Sequence, residues 1–170
     1  MKISNNSLAT SFDVYYHILH KLFKDDWEKM TTSSNTGYVQ DYVNYLLNQT
    51  AKPLLDDLIK TFGFNETYIE LDNSPFIVKI HCKNNKNKPI TTIHVEEVEE
   101  YIKDKSGFDN IKFKYDITGH SIYTINDKRF RDLYWNIANN KIKELDNMRK
   151  PKNVPQDLWD NTMKDVRNDL

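Results

Sequence analysis

At 170 residues the chain has the usual length of one domain, long enough to bury about two-thirds of the surface its unfolded form exposes. With 38% hydrophobic and 12% aromatic residues it has the apolar material to fold, and a formal charge of -1 excludes a polycation that coats nucleic acid or a phosphate mimic acting through net charge. The single cysteine, Cys82, excludes an internal disulfide framework, and no run approaches the roughly 18 apolar residues that span a bilayer, so a cytoplasmic, non-membrane protein is expected.

The N-terminus, Met1-Lys2-Ile3-Ser4, lacks the apolar run of a secretory signal, which makes Asn48-Gln49-Thr50 and Asn65-Glu66-Thr67 chance sequons. An amphipathic helix is predicted over residues 8–30, with Phe12, Tyr15, Tyr16, Leu19, Leu22, Phe23, Trp27 and Met30 recurring at three- and four-residue steps. After the polar run Thr31 to Gly37, a second helix sets Tyr38, Tyr42, Tyr45 and Leu46 on one side. Pro53 opens a third, with Leu54, Leu55, Leu58, Ile59 and Phe62 as its apolar face and Gly63 just past its end.

Beyond Gly63 the period changes to two. Tyr68 to Asp72, Phe76 to Cys82 and Ile90 to Val95 read as strands, the second and third joined by a hairpin loop from Lys83 to Pro89. In the middle strand Phe76, Val78, Ile80 and Cys82 share one face, and Ile77, Lys79 and His81 the other. A short helix, Glu96 to Lys105, is closed by Gly107 with Phe108 after it. Strands Ile111 to Ile117 and Ser121 to Ile125 follow, joined by Thr118-Gly119. Asp127 then caps a helix bearing Phe130, Leu133, Tyr134, Ile137, Ala138, Ile142 and Leu145, and Pro155 opens a last helix with Leu158, Trp159, Met163 and Val166.

Helices, hairpin-linked strands and helices again predict an α+β fold: an antiparallel sheet of about five strands over residues 67–126, packed by N-terminal and C-terminal helices. The expected organisation is one domain over residues 1–170, helical over 8–63, sheet with one short helix over 64–126, and helical over 127–170. Abundant asparagine and lysine, with few arginines and glycines, fit an AT-rich genome such as that of a low-GC bacterium or its phage.

Chemistry-bearing residues are scattered. His17 and His20 are neighbours on a helix, and His81 and His94 flank the expected hairpin, but no metal-ligand spacing accompanies them, so no metal site is assigned. Cys82 beside His81, His94 or His120 imitates a thiol nucleophile with its base, yet a cysteine on an apolar strand face is ordinarily buried and inert. With only 4 glycines, neither a phosphate-binding loop nor a dinucleotide fingerprint is present, and no cofactor is expected. No run matches a family motif, and these absences point away from an enzyme.

Two kinds of surface remain. Glu96, Glu97, Glu99 and Glu100 line the solvent side of the short helix, and Trp159 and Met163 sit on a terminal apolar face; together they make the expected partner-binding residues. Lys83, Lys86, Lys88, Arg129, Arg131, Arg149 and Lys150 form the basic stretches that an alternative, nucleic-acid-associated role would use. The leading expectation is a non-enzymatic protein-binding module, an inhibitor, immunity or regulatory protein that occludes a partner protein's surface. The other alternative is a hydrolase or nuclease with a dispersed active site.

Overall fold

The computed structural model describes residues 10–23, 37–84, 95–116 and 120–170, with the backbone alone described over 113–116. The chain is α+β, with α1 (Ser11–Phe23), α2 (Tyr38–Thr50), α3 (Lys52–Phe62), β1 (Glu66–Leu71), β2 (Ile77–Lys83), α4 (Val95–Ser106), β3 (Ile111–Asp116), β4 (His120–Asn126), α5 (Lys128–Asp146) and α6 (Gln156–Asp169). Contacts divide it into two compact units, Val43–Tyr134 and the segments Met1–Tyr42 with Trp135–Leu170. No helix among the described residues is long and apolar enough to cross a membrane.

The Val43–Tyr134 unit is built on an antiparallel sheet of order β1-β2-β4-β3. Pairing of Tyr68 with His81 and of Ile80 with Tyr123 fixes the register of the two ladders that β2 makes. Four strands, not about five, are present among the described residues. Residues 90–94 of the expected fifth strand lie outside the described residues, and Val95 opens α4. Both edges of β2 are taken, by β1 and β4, which leaves no ladder for the expected hairpin with residues 90–95. Lys86, Lys88, His94, Trp27, Met30 and the Thr118-Gly119 turn also lie outside the described residues.

Strand alternation sorts the sheet into two faces. Ile69, Leu71, Val78, Ile80, Cys82, Tyr123 and Ile125 point to a core completed by Leu55 and Leu58 of α3 and by Val98 and Ile102 of α4, all buried. Each such aliphatic side chain stabilises the fold by roughly 1.5–3 kcal/mol relative to exposure. The Tyr123 hydroxyl reaches the Val95 carbonyl at 3.5 Å, and Thr67 Oγ1 donates to Leu55 O at 2.8 Å, tying α4 and α3 to this side. The glycine stops expected from the sequence are present. Gly63 and Gly107 adopt φ of 76° and 74°, left-handed values that strain any residue with a Cβ, and their N–H groups close on Ile59 O and Lys103 O. Asp127 Oδ1 accepts from Arg129 N at 2.9 Å, the expected cap of α5.

The outer edge of β1 is closed by side chains. Residues 66, 68 and 70 pair toward β2, so the backbone of residues 67, 69 and 71 faces away from the ladder. Asn48 of α2 accepts from Ile69 N at 2.9 Å and donates to Ile69 O at 2.7 Å, and Asn44, one turn earlier, accepts from Leu71 N. Two amides four residues apart thus act as a surrogate strand. The same geometry answers the first sequon, because Asn48 Nδ2, the atom a glycan would occupy, is shared between Ile69 O and Asn44 O.

In the other unit, α1 buries Val14, Ile18, Leu19, Leu22 and Phe23. It packs along α6, which contributes Trp159, Thr162 and Val166. Tyr15 donates its hydroxyl to Asp169, and burial followed by this contact raises its pKa. Lys141 of α5 donates to Leu22 O at 2.7 Å, satisfying a C-terminal carbonyl of α1, and its ammonium lies 5.5 Å from the Phe23 ring and 5.0 Å from the Tyr42 ring.

Removing the Asn48 amide leaves the backbone of Ile69 without its partner. Asn48→Ala is expected to destabilise the protein by about 2–3 kcal/mol, read as a lowered urea midpoint with an unchanged m-value. The control is Gln49→Ala on the exposed side of the same turn, expected to stay within about 0.5 kcal/mol of wild type.

Candidate functional site

The sheet face opposite the core gathers ionisable and aromatic side chains from three strands. Tyr68 and Glu70 come from β1, Lys79, His81 and Lys83 from β2, and His120 from β4, each placed there by alternation and register. The Tyr68 ring stacks on His81 with centroids 4.4 Å apart and planes 7° from parallel, and Lys83 Nζ sits 5.0 Å from the Tyr68 centroid. His81 Nε2 lies 3.2 Å from Glu70 Oε1, and His81 Nδ1 lies 2.8 Å from His120 Nε2. Lys79 is held at 3.4 Å by Asp72.

This chain of contacts dictates its own proton arrangement. A carboxylate only accepts, so the proton between Glu70 and neutral His81 sits on His81 Nε2. His81 Nδ1 then carries none and accepts one from His120 Nε2. One proton per ring satisfies both contacts of His81. A second proton on His81 must occupy Nδ1, facing the N–H of His120, and the contact survives only if His120 changes tautomer. The His81 side chain is 8% exposed against 42% for Glu70, so its charged form has lost most of its hydration. Burial accordingly pulls the His81 pKa below 6.5, with Glu70 opposing and with His120 and Lys79 adding to the depression.

Cys82 takes no part. Adjacent strand residues point to opposite faces, so its thiol lies in the core while His81 lies on the other side. It is fully buried, and burial pushes its pKa up to about 12, the reverse of what a nucleophile needs. His17 and His20 both lie on α1, where burial, then Lys21, lower the pKa of His17. No three His, Cys, Asp or Glu side chains among the described residues come together in a way that could hold a metal ion.

The acidic helix face is formed as expected. Val98 and Ile102 anchor α4 at 0% exposure, which leaves Glu96, Glu97 and Glu100 exposed and Glu99 half-buried. Lys103 lies 3.3 Å from Glu99 and 3.9 Å from Glu100, whereas Glu96 and Glu97 have no ion-pair partner among the described residues. Trp159 belongs to the interior of its unit at 6% exposure, with Met163 half-buried further along α6.

The basic residues are differently engaged. Arg129 makes a two-pronged contact with Asp127 at 3.0 and 2.8 Å and lies 4.4 Å over the Phe108 ring. The pKa of Asp127 is lowered by those hydrogen bonds. Lys150 Nζ donates to Val154 O at 2.7 Å, Arg131 lies 3.8 Å from Asp132, and Arg149 is exposed. Lys83 is committed to Tyr68.

The histidine–glutamate cluster is not evident from the sequence alone. Its signal lies in the register of the β1–β2 hairpin, which sets Tyr68 opposite His81, and in the adjacency of β4 to β2, which brings in His120. No family model, no curated protein and no solved structure matches this chain.

The depressed pKa of His81 fixes the sign of a pH effect. The unfolded chain binds the proton near 6.5 and the folded one only at lower pH, so the unfolded state holds more protons in that window. Stability from the neutral pair is complete above pH 6.5 and is lost as pH falls from there through the folded value. Urea titrations from about pH 7.5 to about pH 5 are expected to show this decline in the wild type and a flatter one in His81→Phe, which keeps a ring against Tyr68. Equal slopes would assign the decline to other groups, His17 among them.

Proposed function

We propose that this chain is a non-enzymatic, cytoplasmic protein-binding module, an inhibitor, immunity or regulatory protein that occludes a basic surface of a partner with the outer face of α4. The carrying observation is the pair Glu96 and Glu97, exposed and without ion-pair partners among the described residues, beside exposed Glu100 on a helix anchored by Val98 and Ile102. A helix held rigidly by buried residues presents its charges without the ordering cost of a loop. Clustered carboxylates of one sign steer a cationic partner and fix its orientation, an effect that weakens as salt shortens the screening length.

The cations favour this reading over nucleic-acid association. A phosphate-binding face needs lysines and arginines available to displace counterions. Arg129 and Lys150 instead spend their donors on Asp127 and on backbone carbonyls within the chain.

The triple variant Glu96→Lys, Glu97→Lys, Glu100→Lys tests the proposal. Circular dichroism is expected to match wild type, because all three side chains are exposed. In parallel affinity purifications from the source cell at low salt, a protein retained by the wild type is expected to bind the variant about tenfold more weakly or worse, and to be released by salt. Recovery of the same proteins by both forms, or a salt-sensitive mobility shift of DNA or RNA that the variant strengthens while no protein is lost, overturns it.

A further inference from the structure

We infer that the Val43–Tyr134 unit contains a binding pocket for a small, neutral, single-ring aromatic or similarly compact hydrocarbon ligand. A recess of about 190 Å³ lies between the core face of the sheet and the junction of α2 with α3. Its floor is made by Val78, Ile80 and Ile125, which are 1%, 1% and 2% exposed, so the base is rigid sheet. Half-exposed Leu47, Ala51 and Phe108 stand at its sides, so the recess opens toward solvent.

The chemistry of the lining selects the occupant. Two hydroxyl side chains reach it, Thr50 and Ser106. Thr50 is exposed at the end of α2, while Ser106 Oγ donates to Ile102 O at 2.6 Å and receives Phe108 N at 3.3 Å, leaving it engaged with its own backbone. A water molecule needs two to four polar partners to be held, and an apolar cavity of roughly 150 Å³ stays dry and accepts benzene. At about 190 Å³ the present recess suits one ring with a short alkyl substituent.

Two aromatic walls refine the class. Phe108 and Phe130 stand 5.1 Å apart at 45°, a tilted pair whose edges and faces can receive a third ring. The Arg129 guanidinium covers Phe108, and its charge is matched by Asp127 through two hydrogen bonds. No lysine, arginine or histidine among the described residues lines the recess. An anionic ligand would therefore enter without a counter-charge, and a phenolic one would find at most the exposed Thr50 hydroxyl at the rim in exchange for its hydration.

The proposal is independent of the acidic face of α4, and its test leaves those carboxylates untouched. Toluene is titrated into the full chain and followed by calorimetry and by amide shifts in nitrogen–proton spectra, with phenol and benzoate in parallel. Saturable toluene binding is expected at a Kd on the order of 1 mM or tighter, with shifts confined to residues around Val78, Ile125 and Phe130. Phenol is expected to bind about tenfold more weakly or worse, and benzoate not at all. Ala51→Leu, and separately Leu54→Trp, fill the recess from half-exposed positions and are expected to abolish binding while the thermal midpoint is retained. Absence of saturable toluene binding, equal binding of benzoate, or toluene binding that survives both filling variants overturns the assignment. If one variant fails to fold, the other decides.

Discussion

Backbone groups at the rim of a sheet must pair with something, and in the Val43–Tyr134 unit the outer rim of β1 pairs with two asparagine side chains. A bare edge would present its N–H and C=O groups as a template for another strand. Asn44 and Asn48 remove that template, because their spacing of four residues along α2 follows the spacing of two along β1. The consequence is positional. Once α2 is fixed alongside β1, the chain leaves Thr50 directly into α3, and Leu55 and Leu58 are delivered to the core face of the sheet. The same junction brings Leu47 and Ala51 to the recess floored by Val78, Ile80 and Ile125.

The two faces of the same sheet follow opposite physical rules. One is almost wholly apolar, and Cys82 and Tyr123 lie within it with pKa values raised by burial, as neutral core residues. The other face pairs charge and aromatic groups across strands: Tyr68 on His81, Glu70 with His81, Lys79 with Asp72. Cross-strand pairs of this kind contribute roughly 0.2–1 kcal/mol each, so the face is cohesive without being a second core. The histidine pair is the exception in stakes, since its N···N contact of 2.8 Å tolerates one shared proton and not two.

Much of the fold was legible in the sequence, and the reasons differ by element. Helix boundaries at Gly63 and Gly107, the cap at Asp127 and the start of α6 at Pro155 depend on local chemistry, and local chemistry is written in adjacent residues. The core face of β2 was legible too, because Val78, Ile80 and Cys82 alternate with Lys79 and His81, but the burial of His81 on the opposite face and the exposure of Phe76 were not. Pairing was legible for β3 with β4, which adjoin in sequence, but not for the partners of β2. A period of two tells which face a residue occupies but not which strand lies beside it, so β4 and not residues 90–95 became the partner of β2. Asn44 and Asn48 are polar residues on a helix, indistinguishable by composition from solvent-facing ones. Their role depends on a strand more than twenty positions away. Trp159 shows the converse: its place on an apolar stripe is plain from spacing, yet the same stripe is equally consistent with a contact surface and with a core, and α1 packs against it.

The candidate sites rest on what charges do after folding. Several cations among the described residues end on fixed partners: Lys79 on Asp72, Lys103 on Glu99, Arg129 on Asp127, Lys141 on Leu22 O and Lys150 on Val154 O. These contacts run to nearby carboxylates or to backbone carbonyls, so folding engages those five charges within the chain. Helix α4 breaks the symmetry because four glutamates in five positions outnumber the single lysine, Lys103, within one turn of them on the same helix. An apolar inner stripe forces those carboxylates outward, and like charges on neighbouring turns repel by a few tenths of a kcal/mol per pair. A cationic partner relieves that repulsion on binding, which gives the acidic face a thermodynamic reason to be covered that the paired cations lack.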